Sequence, residues 1–254
     1  MKKLITLLAV HIATFTLSIS ITSCKGSDNG EPDINKPVVV DDKNKASDGS
    51  SIISIDDYNF YKDYVKYTVE AGHLIVSGYD NAGFKGAAQI ASQITYKGNS
   101  YEVLGIGDKA FYECTSLTSI TLPKGITSIG DFAFNGCSSL TSLNIPEDLK
   151  NIGKNAFSGC SSLASDIRIP EGVKKIEEFT FAGCKAIKSI TLPTGLESIY
   201  SYSFRNCSSL VSINIPDNVE SIGNNAFEGC TGLTSITIGR SIKYIGEDAF
   251  SNCI

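Results

Sequence analysis

The sequence predicts an α/β solenoid, in which stacked coils share a parallel β-sheet and short helical turns, preceded by a small β-rich N-terminal cap. Two observations support this prediction. After Cys24, cysteines recur at intervals of 23 or 24 residues, at Cys114, Cys137, Cys160, Cys184, Cys207, Cys230 and Cys253. A period this constant is typical of a solenoid, because each repeat buries its apolar face only against its neighbours. A strand-like apolar pattern also follows each of the first six of these cysteines.

Residues 1–23 have the composition of a lipoprotein signal peptide. A positively charged start precedes a mainly apolar run from Leu4 to Ile21, which is typical of a secretory signal. The run closes with Ile-Thr-Ser-Cys, which resembles the bacterial lipobox. That resemblance implies cleavage before Cys24 and acylation of its thiol and its new amine, which would hold the protein on a membrane without spanning it. The alternative is an uncleaved anchor, since about 18 apolar residues lie at the lower limit for a span.

Two further segments precede the repeats. Residues 24–50 are polar, contain two prolines and carry both signs of charge, which predicts a flexible tether. Residues 51–102 are rich in tyrosine and are expected to form the β-rich cap that covers the open edge of the first coil. Residues 103–254 then form the repeats.

Each repeat has two apolar walls. In the first, Leu117, Ile120 and Leu122 are expected to face the core, while Ser119 and Thr121 face solvent. Five of the six equivalent runs end in proline, which stops strand pairing where the chain must turn. The second wall is a pair of aliphatic residues before each Ala-Phe, and glycine follows that pair in five of seven repeats. Because larger side chains occupy the other two, this turn is not expected to need a positive φ.

The pattern LxxLxLP, followed by V/L-x-x-I-G-x-x-A-F-x-x-C, resembles the BspA-like leucine-rich repeat family of bacterial surface proteins over roughly residues 101–254. The resemblance implies a leucine-rich-repeat solenoid and a binding function, with no catalytic residues to transfer. The expected function is therefore that of an exported, lipid-anchored adhesin at the outer membrane or cell surface. Its partner would be a host extracellular matrix protein or a surface protein of another cell. The alternative function is capture of a glycan or nutrient for an outer-membrane uptake system.

Composition excludes several other classes. The formal net charge is −5, and Lys and Arg are scattered, so nucleic-acid binding is not expected. After signal cleavage His73 would be the one remaining histidine, so neither an enzyme nor a metal or cofactor site is expected. The odd number of equivalent cysteines predicts a column of buried, reduced thiols rather than disulfides.

Two sets of residues depart from the repeat and are the candidate partner-binding residues. Asp166 and Arg168 are the charged pair on the strand series, beside a one-residue insertion at residues 163–165. The alternative is that these two side chains pair with each other and do nothing more. Phe132, Phe179 and Tyr202 each lie two residues before a repeat Phe, where they would contact either a ligand or a neighbouring coil.

Overall fold

The structure is a computed structural model that describes residues 38–39, 52–54, 59–80, 84 and 86–253. The predicted signal peptide, the lipobox Cys24 and most of the predicted tether lie outside these residues. Every regular element in the described part is a β-strand, so the expected short helical turns are wrong. It follows that the described residues contain no helix able to cross a membrane.

Twenty strands are present in the described part, and eight of them precede the first complete coil. These eight are β1 (Val38–Val39), β2 (Ile52–Ser54), β3 (Asn59–Lys62), β4 (Val65–Glu70), β5 (His73–Tyr79), β6 (Gly86–Gln89), β7 (Gln93–Tyr96) and β8 (Asn99–Ile106). Strands β2 to β5 form an antiparallel sheet, and β7 and β8 form a hairpin. Strand β1 pairs in parallel with β7.

The repeats form six coils, numbered here by the cysteine that ends each one. Coil 1 spans residues 115–137, coil 2 138–160, coil 3 161–184, coil 4 185–207, coil 5 208–230 and coil 6 231–253. Each coil contributes one strand to a first ladder and one to a second ladder. In chain order the strands are β9 (Leu117–Thr121), β10 (Ser128–Ile129), β11 (Ser142–Leu143), β12 (Asn151–Ile152), β13 (Ile167–Arg168), β14 (Lys175–Ile176), β15 (Ile190–Thr191), β16 (Ser198–Ile199), β17 (Ser212–Asn214), β18 (Ser221–Ile222), β19 (Ser235–Thr237) and β20 (Tyr244–Ile245).

The antiparallel sheet is continuous with the solenoid. Strand β5 pairs in parallel with β8, and β8 pairs in parallel with β10, so the second ladder extends into the N-terminal strands. Strand β6 pairs in parallel with β9 and begins the first ladder. The backbone groups at this edge of coil 1 are therefore hydrogen-bonded to the preceding strands, which leaves no open edge there.

The interior of the solenoid is built from equivalent side chains stacked coil on coil. The repeat Phe rings lie nearly parallel, with centroids 5.1 to 5.6 Å apart, from Phe111 through Phe250. The cysteines form a second column of free thiols, and those from Cys114 to Cys230 are buried. Each thiol from Cys137 onward donates to the carbonyl oxygen of the Phe one repeat earlier in the sequence, as Cys137 Sγ does to Phe111 O at 3.1 Å. The predicted column of buried thiols is confirmed.

The turns are not helical because their backbone N–H groups do not all bond within the turn. Some donate to carbonyl oxygens of the same turn, and others donate to carbonyl oxygens of the next coil. In coil 1, Asn135 N donates locally to Phe132 O, whereas Phe134 N and Gly136 N donate to carbonyl oxygens of coil 2. Phe132 and Gly136 also have positive φ angles of 57° and 74°, which a right-handed helix does not accept. The glycines after the second aliphatic residue, such as Gly130, are not among the positive-φ residues, as predicted.

Both ladders are interrupted at the one-residue insertion. Strand β11 does not pair with β13, and β12 does not pair with β14, whereas the turns of coils 2 and 3 remain bonded, for example from Phe157 N to Thr180 O. Coils 2 and 3 therefore stay hydrogen-bonded through their turns although their strands do not pair. The first ladder is also reduced, to a single bridge between Ser189 and Ser212, where coils 4 and 5 meet.

Candidate functional site

Two positions in each turn have a left-handed backbone, and the occupants of the first one define the candidate site. The φ angles lie between 53° and 62° at Lys109, Phe132, Asn155, Phe179, Tyr202, Asn225 and Asp248. Asn and Asp tolerate this conformation well, whereas a bulky side chain pays roughly 1–2 kcal/mol for it. The three aromatic residues therefore occupy a position that disfavours them.

The structure brings Phe179 and Tyr202 together. Their rings stack with centroids 4.5 Å apart and planes inclined by 8°. The guanidinium carbon of Arg205 lies 5.6 Å from the Tyr202 centroid, and Glu228 of coil 5 holds Arg205 through Nε–Oε2 and Nη2–Oε1 distances of 2.8 and 3.2 Å. Phe179 of coil 3 therefore stacks on the Tyr202 ring, and Arg205, which pairs with Glu228 of coil 5, also lies over that ring. The group of Phe179, Tyr202, Arg205 and Glu228 is called the aromatic cluster below.

Other departures from the repeat coincide with the aromatic cluster. Glu177 and Tyr200 replace the turn glycine in coils 3 and 4. Thr180 and Ser203 replace the buried alanine, and their hydroxyls donate to the carbonyl oxygens of Glu177 and Tyr200. These buried hydroxyls are therefore hydrogen-bonded within their own turns. Coils 3 and 4 thus share a variant turn, which presents the stacked rings on one part of the surface.

Phe132 does not join the aromatic cluster. It lies in coil 1, where its ring meets Tyr112 edge-on at 6.5 Å and Lys109 Nζ lies 5.9 Å from its centroid. Asn155 of coil 2 occupies the equivalent position between Phe132 and Phe179. Aromatic residues on the turns therefore form two separate groups.

Asp166 and Arg168 do not pair with each other, so the alternative of an isolated ion pair is wrong. Asp166 Oδ1 accepts a hydrogen bond from Ser189 Oγ at 2.5 Å, and Arg168 Nε lies 3.9 Å from Glu147 Oε1. The Arg168 and Glu147 side chains are 71% and 72% exposed, so this ion pair contributes little to stability. Arg168 ends β13 of the first ladder and Asp166 directly precedes that strand, whereas Phe179 and Tyr202 follow the second ladder, so the two candidate sets lie on different parts of the coil.

Three central thiols of the column, those of Cys137, Cys160 and Cys184, have the electrostatics of core residues. Burial raises the pKa of the Cys160 thiol to about 12, and it also raises the pKa values of Cys137 and Cys184. This favours the neutral thiol, whereas the thiolate is the form that attacks electrophiles and binds metals. Within the described ranges, no three His, Cys, Asp or Glu side chains are grouped so that they could hold a metal ion.

Sequence reasoning identified Phe179 and Tyr202 individually but missed their stacking and missed Glu228. The spacing in the sequence could have indicated both the stacking of Tyr202 on Phe179 and the contact of Glu228 with Arg205. Glu228 lies 23 residues after Arg205, and Tyr202 lies 23 residues after Phe179, which is one full coil. In a solenoid with this period, residues separated by one repeat become neighbours.

Comparison with known proteins agrees with the fold. The profile of the BspA type leucine-rich repeat region matches in six copies, over residues 81–167, 104–231 and 164–254. A leucine-rich repeat protein of T. pallidum is 29% identical, with a TM-score of 0.66 over 75% of this chain and 86% of that one. No curated protein matches the chain.

Two longer solved structures are also similar. A leucine-rich cell surface protein from Faecalibacterium prausnitzii A2-165 is 27% identical, with a TM-score of 0.58 over 75% of this chain and 56% of that one. A leucine-rich repeat protein from Eubacterium ventriosum has 24% identity and a TM-score of 0.66 over 79% of this chain, which supports the fold alone. This chain spans 51% of that protein's length.

Proposed function

The chain belongs to the BspA type leucine-rich repeat family, and we propose that it is a lipid-anchored bacterial surface protein that binds another protein. In this proposal it acts as an adhesin for a host extracellular matrix protein or for another cell. The similarity to a cell surface protein of F. prausnitzii supports the location. The aromatic cluster is the observation that carries the binding role.

The aromatic cluster is not required by the scaffold. Asn155 and Asn225 occupy the same left-handed position in coils 2 and 5, so the coil can be built without an aromatic residue there. Bulky residues that keep an unfavourable backbone conformation are concentrated at functional sites. Tyrosine and arginine are also the residue types that dominate the energetics of protein interfaces. A protein-binding role accounts for both features.

The geometry disfavours glycan capture by stacking on Tyr202. A sugar that stacks on an aromatic residue needs a free ring face. Phe179 and Arg205 both lie over the Tyr202 ring, which leaves less of that ring open to a sugar. Tyr202 therefore offers its ring edge and hydroxyl, which suit contacts with a protein surface better than stacking on a sugar.

The experiment compares binding of the chain to immobilised collagen, laminin and fibronectin with binding to a glycan array. We expect binding to at least one of the proteins. The double variant Phe179→Asn/Tyr202→Asn should weaken it by roughly 10- to 100-fold, as loss of interface hot-spot residues does. The matched control is Phe132→Asn, which removes an aromatic residue from the same turn position outside the cluster and should change affinity less than about twofold. Binding to glycans alone, or equal affinity of the double variant and the control, would contradict the proposal.

Lipid anchoring is tested separately, because it rests on the sequence Ile-Thr-Ser-Cys at residues 21–24. The Cys24→Ala variant should lose incorporation of a labelled fatty acid, since the acceptor thiol is absent, and should leave the membrane fraction. A matched Ser23→Ala variant keeps the thiol and a small residue before it, and should retain the label. Persistent labelling of Cys24→Ala would refute this anchor.

A further inference from the structure

A groove of about 630 Å³ lies along the second ladder at its N-terminal end. The backbone of Gly107, Gly130 and Gly153 lies along its floor. Ile75 and Glu70, from strands β5 and β4, line one end, and Glu177 of coil 3 lines the other. These residues, with Asp108, Asp131 and Lys154, are called the acidic groove below.

The glycines allow the coils to pack closely beside the acidic groove. A Cβ atom added at Gly153 would lie 2.6 Å from Asp131 N, and one added at Gly130 would lie 2.6 Å from Asp108 N. Each added Cβ would therefore collide with the backbone of the preceding coil. In coil 3 the same position carries Glu177, whose side chain lines the far end of the groove.

The charge of the acidic groove is predominantly negative. Four carboxylates line it, together with one ammonium group, that of Lys154. Lys154 is already paired with Glu178, with an Nζ–Oε2 distance of 3.1 Å. Asp108 and Asp131 are held in place, because each Oδ1 accepts a hydrogen bond of 2.8 Å from a backbone N–H of the next coil. Four carboxylates and one ammonium group leave an excess of three negative charges in the groove.

We infer that the acidic groove binds an extended segment of a partner protein that carries lysine or arginine side chains. Three steps of about 4.8 Å between coils give a length near 14 Å, which matches about four residues of extended chain. The glycines that line the groove carry no side chains that would obstruct a bound segment, and the carboxylates at both ends and along the side complement cationic side chains. This inference rests on the proposed function only in assuming a protein partner, and it concerns a different surface from the aromatic cluster.

The test measures binding of fluorescent octalysine to the chain by anisotropy at low ionic strength, with octaglutamate as the reference peptide. The variant Glu70→Gln/Glu177→Gln should weaken octalysine binding at least tenfold. The matched control Glu197→Gln/Glu247→Gln removes the same charge from exposed positions outside the groove, and should weaken binding less than twofold. Equal weakening by both pairs would overturn the inference, because it would mean attraction to the net charge of the chain.

A second variant obstructs the acidic groove without altering its charge. Asn151 faces the groove, and coil 6 carries Tyr244 at the equivalent strand position, so Asn151→Tyr has a precedent within the fold. It should weaken octalysine binding at least tenfold while leaving the melting temperature unchanged. The Phe179→Asn/Tyr202→Asn variant should bind octalysine normally, which separates failure of this inference from failure of the proposed function. No binding of octalysine, or full binding by a folded Asn151→Tyr variant, would overturn the inference.

Discussion

Alkaline pH should destabilise the solenoid through its column of thiols. Cys137, Cys160 and Cys184 are 0% exposed, and burial is the largest cause that raises the pKa of each thiol. The pKa of Cys160 in the folded chain is about 12, whereas an unfolded cysteine has a pKa near 8.5. Between these values the unfolded chain loses the proton and the folded chain keeps it. The free energy of unfolding is therefore highest below about pH 8.5, and it falls as the pH rises above that value.

The size of the effect follows from proton linkage. At about pH 9.5, one unit above the unfolded pKa, each thiol that stays protonated in the folded state costs about 1.4 kcal/mol of stability relative to neutral pH. The three thiols together should lower the free energy of unfolding by about 4 kcal/mol. That is a large fraction of the 5–15 kcal/mol typical of a folded domain.

The assay is urea denaturation followed by far-ultraviolet circular dichroism, under reducing conditions, at neutral pH and at about pH 9.5. The triple variant Cys137→Ala/Cys160→Ala/Cys184→Ala should lose about 4 kcal/mol less than the parent chain over this range, since the three titrating groups are gone. The single variant Cys160→Ala should lose about 1.4 kcal/mol less unfolding free energy than the parent chain over the same pH range. This single variant provides the test if the triple variant does not fold. Identical losses in the parent and in a folded cysteine variant would refute the reasoning.

Three further predictions follow from the turns and the first ladder. Gly159 has a φ of 76°, so Gly159→Ala should lower the free energy of unfolding by roughly 1–2 kcal/mol. Gly159→Asn should lower it less, because Asn206 already occupies the equivalent left-handed position in coil 4. Urea titration of the two variants measures this difference. Gly153→Ala should lower the melting temperature, because its Cβ would meet backbone atoms and overpacking costs roughly 1–3 kcal/mol. The double variant Asp166→Ser/Arg168→Thr carries the residue types of neighbouring coils and should keep the melting temperature of the parent chain. If the first ladder contacts the partner, this variant should bind the immobilised proteins more weakly by roughly 1–3 kcal/mol. Unchanged affinity would exclude the first ladder as the binding surface.

The core could be predicted because the same apolar positions recur in every repeat of the sequence. Ile120 and Leu122 face inward as their alternation predicted, and so do most of the equivalent residues of coils 2 to 5. In coil 6 the equivalent residues Ile236 and Ile238 are 36% and 42% exposed. The thiol column follows from the same reasoning, since identical coils place identical residues one above another. The helical turns could not be excluded from sequence, because the left-handed positions carry residues as different as Phe132, Asn155 and Asp248, which share no recognisable signal.

The candidate sites show where the sequence stops being sufficient. By itself it determined the period, the inward residues and the positions that depart from the repeat, because these depend only on the spacing along one chain. The tertiary structure alone decided that Arg205 lies over the Tyr202 ring, and that strands β4 and β5 contribute Glu70 and Ile75 to one end of a groove on the second ladder. The position of Arg205 depends on how far its side chain extends toward the next coil, and the end of the groove depends on a sheet that lies outside the repeats. The spacing of residues along the chain specifies neither of these.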